Sequence, residues 1–191
     1  MTYLYTADTS QFNTDYWPTV DMYRLPGTTV VDNSTVGGYK YNNKAWAGGA
    51  ALLDKYGVTG IDFDPVSQLQ SGKKSWFMFD GKIVCLGAAI ITATGSANVH
   101  TYIENRKMMK DNSNTFSVNG ITQPTLMNAT TTVSTATWAH VTGNVANTDI
   151  GYYFPTSITL NMTRKLNTGS WYDINVNQNT AIKSNYYVNF W

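Results

Sequence analysis

The tightest group of chemically capable side chains is Tyr102-Ile103-Glu104-Asn105-Arg106-Lys107, which sets the single Glu beside one of only three Arg residues. Arg106 or Lys107 could meet the carboxylate of an acidic sugar, and Asn105 could bond a ring hydroxyl or carboxyl oxygen. Equally, Glu104 and Arg106 stand two residues apart on one strand face, the spacing of an ion pair that bridges neighbouring strands. Asp62 and Asp64 also share a face, and two carboxylates with separated pKa values are what a glycosidase needs; solvated aspartates at a loop edge are the commoner outcome. His100 falls in an alternating stretch, and His140 reads as a partly buried, hydrogen-bonded residue beside Trp138. Cys85, alone in the apolar run Ile83-Val84-Cys85-Leu86, reads as a small buried hydrophobe and not as an activated thiol. The sequence has no GxSxG, HExxH, paired Cys or EF-hand spacing, so it carries no nucleophile-elbow, zinc or calcium motif. Gly37-Gly38 and Gly48-Gly49 lack the strand–loop–helix setting of a phosphate loop.

The elements around these residues read as strands. Helical periodicity is almost absent, and short β-branched or aromatic runs alternate with Gly, Asn, Asp and Pro. Lys74–Phe79 and Lys82–Ile91 flank Asp80-Gly81, the signal of a type I′ hairpin, and their near-continuous apolar character predicts cover on both faces. Asn119-Gly120 marks a second hairpin, and Pro26-Gly27 suits the middle of a type II turn. Residues 32–49 read as a long loop, with strands beginning at Ala50. Further strands are expected at Ala97–Ile103, Arg106–Met109, Thr137–Val141, Ile150–Phe154, Ser157–Thr163, Trp171–Asn175 and Tyr186–Trp191. About a dozen short strands without a convincing helix predict an all-β, large antiparallel β-sandwich. Its last strand is either locked into a sheet or cut inside a larger domain; in the second case it leaves an edge that favours self-association.

Composition narrows the function classes. With 13 Lys+Arg against 12 Asp+Glu the net charge is +1, which offers no electrostatic footprint for nucleic acid or for an anionic membrane surface. Thr, Ser and Asn fill 58 of 191 positions, while charged residues make up 13%; neutral hydrogen-bonding side chains replace the usual surface charge. Eleven Asp against one Glu favours turns over helix interiors. Aromatic residues at 14% suit sheet packing, and more sharply the stacking of flat rings on sugars. The opening Met1-Thr2-Tyr3-Leu4 lacks the basic and apolar regions of a signal peptide, and no run approaches the 18 apolar residues of a transmembrane helix.

Several longer stretches carry a resemblance. Asp15 to Val30, Lys74 to Asp80 with Ile83 to Gly87, Glu104-Asn105-Arg106-Lys107, Trp138-Ala139-His140, Gly151-Tyr152-Tyr153-Phe154-Pro155 and Gly169 to Asn175 resemble, in order and spacing, the central β-domain of family 8 polysaccharide lyases. These are the hyaluronate, chondroitin AC and xanthan lyases. The resemblance runs from about Tyr3 to Trp191 and implies one domain over 1–191, a supersandwich of the galactose-mutarotase-like kind.

It also implies a parent that is extracellular or at the cell surface and cleaves uronic-acid polysaccharides (hyaluronan, chondroitin or xanthan-like) by β-elimination, with no metal or organic cofactor. The family's catalytic Asn, His, Tyr and Arg belong to an α/α toroid that is absent here, so no catalytic residue is assigned and the isolated chain is expected to be inactive or nearly so. What carries over is a scaffold and one wall of the substrate cleft, with Asp15, Trp17, Arg24, Glu104, Asn105 and Arg106 as candidates. The alternatives are a freestanding carbohydrate-binding or structural module, and a small intact enzyme using Asp62, Asp64 or Glu104.

Overall fold

A computed structural model of the chain describes residues 1–13, 15–31, 41–66, 70–92 and 98–191. In chain order the elements are α1 (Tyr16–Thr19), β1 (Thr29–Val31), β2 (Ala47–Leu52), β3 (Tyr56–Phe63), β4 (Gln70–Phe79), β5 (Lys82–Thr92), β6 (Val99–Thr101), β7 (Glu104–Lys107), β8 (Phe116–Val118), β9 (Ile121–Thr122), β10 (Thr130–Val141), β11 (Ile150–Gly169), α2 (Trp171–Ile174) and β12 (Lys183–Phe190). The protein is predominantly antiparallel β-sheet of supersandwich type, and each helix is a single turn. The chain divides into two compact units, residues 1–28 with 101–191, and residues 29–100.

The first unit is built on a six-stranded sheet in the order β7-β12-β11-β10-β8-β9. Its core gathers Phe116, Val118, Ala139, Val141, Leu160, Met162, Val188 and Phe190. These are alternate residues of their strands, as a sheet with one buried face requires. A second cluster joins Tyr16, Val20 and Leu25 to Tyr187 and seats the N-terminal segment on β12. The C-terminal strand is therefore no edge: β12 is hydrogen-bonded to β11 on one side and β7 on the other, the first of the two alternatives for it, and the exposed edge tied to the second does not lie there. The edges of this sheet are β7 and β9.

The second unit carries the sheet β2-β3-β4-β5 and the pair β1-β6. The Asp80-Gly81 hairpin forms as expected, but Gly81 alone takes a positive φ (63°), so the turn is not the type I′ form, which needs two such residues. Asn119 and Gly120 both have positive φ (50° and 80°) and meet that requirement. At Pro26-Gly27 the positive φ falls on Gly27 (75°), and Thr28 N–H closes the turn on Leu25 O at 3.1 Å.

Other expectations are corrected. Strand β2 begins at Ala47 inside the stretch read as a loop, and residues 32–40 of that stretch lie outside the described residues. Trp171–Ile174 is a helical turn, because Asp173 reaches back to the Ser170 N–H (2.7 Å) and hydroxyl (2.8 Å) and so fixes a helix start. Ile150–Phe154 and Ser157–Thr163 are one strand: the ladder slips between Tyr153 and Ile158 around Pro155, which has no N–H to give. Finally, Ile83, Val84, Leu86 and Ile91 are exposed, as is Cys85. An apolar run reports the composition of a strand, and β5 lies at the edge of its sheet, paired on one side.

Candidate functional site

The residues of interest in the first unit meet where the N-terminal segment crosses β7, β12 and α2. Asp15 is left-handed (φ 62°), a conformation Asp tolerates better than most residues but still at a cost. Its bonds explain how it is held. One carboxylate oxygen accepts from Trp171 Nε1 at 2.9 Å, the other lies 3.7 Å from Lys183 Nζ, and its carbonyl accepts from Thr19 Oγ1 (2.6 Å) and Asn185 Nδ2 (3.2 Å). The bend turns Tyr16 inward, fully buried, and Trp17 outward, 41% exposed. Trp17 is braced edge-on by Tyr3 and Tyr16, with centroids at 6.2 and 5.2 Å.

Arg24 closes the same segment. It is paired with Asp21 at 3.1 Å, donates from Nε to Tyr102 Oη at 3.1 Å, and its guanidinium stands 5.9 Å from the Tyr102 ring centroid. Partial burial alone would lower its pKa; Asp21 and Tyr102 outweigh that and raise it. Asn105 fixes the loop from below, donating to Arg24 O at 3.1 Å. Its own Oδ1 is buried with no hydrogen-bond partner among the described residues.

Glu104, Asn105 and Arg106 are themselves buried. Glu104 and Arg106 form an ion pair at 3.5 Å, and Tyr152 Oη donates to the same carboxylate oxygen at 2.8 Å. Burial pushes the Glu104 carboxyl above its ordinary range, against the opposing pull of Arg106, Tyr152 and the Asn105 N–H. The next residue, Lys107, is buried too and donates to the carbonyls of Ser10 and Asn13. The site thus has two layers, an outer rim of Asp15, Trp17 and Arg24 and an inner layer of β7 side chains that fixes it.

Asp21, Trp171 and Lys183, which hold that rim together with Tyr102, are not among the candidates read from the sequence. Trp171 lay within a family-like stretch, but its partner is 156 residues away and no local pattern links the two. Asp62 lies opposite Lys73 across β3 and β4, and the backbone N–H of Asp64 donates to Asn42. His140 bonds Asp149 at 3.1 Å, as a half-buried, hydrogen-bonded residue should. Among the described residues no group of three or more His, Cys, Asp or Glu is placed to hold a metal ion.

Comparison with known proteins gives this arrangement its context. Residues 1–191 match the sequence profile of polysaccharide lyase family 8, super-sandwich domain. The chain is 40% identical to the xanthan lyase of Bacillus sp. (strain GL1) over 189 residues, 97% of this chain and 20% of that one. It is 39% identical to the hyaluronate lyase of Thermasporomyces composti over 181 residues, 92% and 22% of the two chains. Among solved structures, the Paenibacillus xanthan lyase superposes with a TM-score of 0.92 at 39% identity, over 100% of this chain and 19% of that one. The Streptomyces coelicolor chondroitin AC lyase gives a TM-score of 0.70 at 31% identity, over 96% and 22%. The chain therefore spans about a fifth of the length of these relatives. In sequence and fold alike, it belongs to polysaccharide lyase family 8.

Proposed function

We propose that the chain is the β-sandwich part of a lyase that cleaves uronic-acid-containing polysaccharides by β-elimination, and that it supplies the scaffold and one wall of the substrate cleft. The observation that carries this reading is the family match over all 191 residues, combined with coverage of about a fifth of each relative. In such an elimination the C5–H bond and the C4–O bond of the uronide break and a C4–C5 double bond forms. The rate depends on neutralising the uronate carboxyl and on moving a proton from carbon to the leaving oxygen. Those groups are supplied by an α/α toroid outside these residues, in a protein that works outside the cell or at its surface.

Within the chain, Trp17 offers a sugar-stacking face, while Arg24 and Asp15 offer charged and hydrogen-bonding edges beside it. Glu104, Asn105 and Arg106 act as positioning residues beneath them, since their burial leaves them no direct reach to a polymer. No metal or organic cofactor takes part. Incubating the purified chain with hyaluronan, chondroitin and xanthan, and following ultraviolet absorbance of unsaturated uronide, tests the reading. No product is expected from the chain alone, because an oriented constellation is what makes elimination fast; steady product formation would refute it.

A further inference from the structure

The solvent face of β10 and β11 carries two flat rings in one register row. Trp138 and Tyr153 are direct partners across these strands, so their Cβ atoms stand about 5 Å apart on the same face. Trp138 is 41% exposed and Tyr153 76%. Ala139 and Val141, which alternate with Trp138 and His140 along β10, are buried in the core on the opposite face, which fixes the face that the rings occupy. Aromatic rings on the inner face are used up in packing, as in Phe116 against Phe190 at 5.0 Å and Tyr152 against Phe190 at 4.9 Å. Trp138 and Tyr153 have no such partner ring among the described residues.

The row next to them is open and polar. His140 lies opposite Gly151 on one side and Ser117 on the other. A Cβ at Gly151 would meet nothing within 4 Å, so the floor beside the rings is bare. His140 is held by Asp149 at 3.1 Å, and Asp149 in turn accepts from Gly143 N–H at 2.9 Å. The backbone under Trp138 is also fixed: Asn119 Oδ1 accepts from the N–H groups of Thr137 (2.9 Å) and Trp138 (3.3 Å). Stacking surface, open floor and hydroxyl-bonding groups thus stand on one rigid patch. Neither Lys nor Arg is among Ser117, Trp138, His140, Asp149, Gly151 and Tyr153, so the chemistry suits the hydroxyls and apolar face of an uncharged sugar ring and not a uronate carboxylate.

We infer that Trp138 and Tyr153, with the floor at Gly151 and the His140–Asp149 pair at its border, form a binding platform for a neutral hexopyranose ring of a polysaccharide chain. The inference takes its ligand class from the polysaccharide reading above, but it concerns binding and not bond cleavage. It is tested by affinity electrophoresis of the chain in native gels with and without hydroxyethylcellulose, a polymer of uncharged glucopyranose rings. Wild type is retarded by the polymer. Tyr153→Ala weakens the retardation about tenfold, as loss of an aromatic contact does, and Gly151→Leu weakens it by filling the floor. Both positions are open to solvent, so thermal unfolding of the two variants stays at the wild-type midpoint. Equal retardation of wild type and both variants, or none for wild type, overturns the inference. So does a loss in Trp17→Ala as large as that in Tyr153→Ala, because binding would then run through the cleft wall. Bond cleavage by the chain would refute the reading that the reacting groups lie outside it and leave this one standing.

Discussion

Glu104 and Arg106, two residues apart on an edge strand, turn to the same side and meet at 3.5 Å with side chains 3% and 4% exposed. An ion pair so enclosed is worth little as a stabiliser, since the desolvation of both charges offsets their attraction. The pair lies within β7 and does not itself tie that strand to another; the tie is Tyr152 Oη of β11, which donates to Glu104 at 2.8 Å, while Asn105 between the two charges reaches the backbone of Arg24 at 3.1 Å.

The pH dependence follows from the direction of the Glu104 shift. Its folded pKa is raised above the ordinary 4.5, by burial first. For an acid with a raised folded pKa, the folded state holds the proton more tightly. The contribution is therefore full below about pH 4.5 and is lost as pH rises through the folded value. Glu104→Gln, neutral throughout, gains stability relative to wild type as pH rises from 4 to 8 in urea unfolding. Arg106→Met removes the strongest influence holding the pKa down, so the loss extends to higher pH in that variant. A Gln variant that loses ground to wild type over this range would contradict the assignment.

Lys74 gives a second titration. Burial pushes its amine from 10.5 down to about 8. Between these values the unfolded chain is protonated and the folded one is not, so this group adds stability as pH rises through that window. Carbon-13 labelling of the lysine Cε positions should show one resonance titrating near pH 8, absent in Lys74→Met. All lysines titrating near 10 would show that the amine is solvated.

Asp15 combines a left-handed backbone with a side-chain acceptor for Trp171. Asp15→Asn keeps an oxygen acceptor and a residue that tolerates positive φ, and costs under about 1 kcal/mol. Asp15→Ala loses both and costs about 2 kcal/mol or more in denaturant unfolding. Equal cost for the two variants would mean that neither feature matters.

Much of this was legible in local chemistry. Asn119-Gly120 and Asp80-Gly81 gave their hairpins because glycine's tolerance of positive φ is a property of the residue. The two-residue spacing of Glu104 and Arg106 disclosed their shared face. Tyr152, which completes the group, arrives from a strand 48 residues on, and the Trp171–Asp15 bond spans 156; such partners are fixed by sheet order, which no short window contains. Trp171–Ile174 was misread because a four-residue stretch with two aromatic rings fits strand and helix alike, although Ser170 with Asp173 three residues later was the helix signal on offer. Cys85 was misjudged because burial depends on what lies over a strand and not on the strand itself.

Strand β5 supports a proposal about assembly, displaced from the C-terminal strand to which the sequence reading attached it. Ile83, Val84, Leu86 and Ile91 stand exposed on an edge strand, a surface that favours pairing with a second copy. Light scattering of the chain should show mass rising with concentration, and Val84→Lys with Leu86→Lys should restore a monomer. A strictly monomeric wild type at high concentration would contradict it.

On the reading proposed above, these 191 residues frame a polysaccharide cleft without holding the groups that break the bond. Continuous ultraviolet recording of unsaturated uronide from hyaluronan, chondroitin and xanthan, with the purified chain as the sole protein, tests it most directly. A flat trace is expected on all three polymers; a steady rise on any of them that scales with the amount of chain would refute that reading.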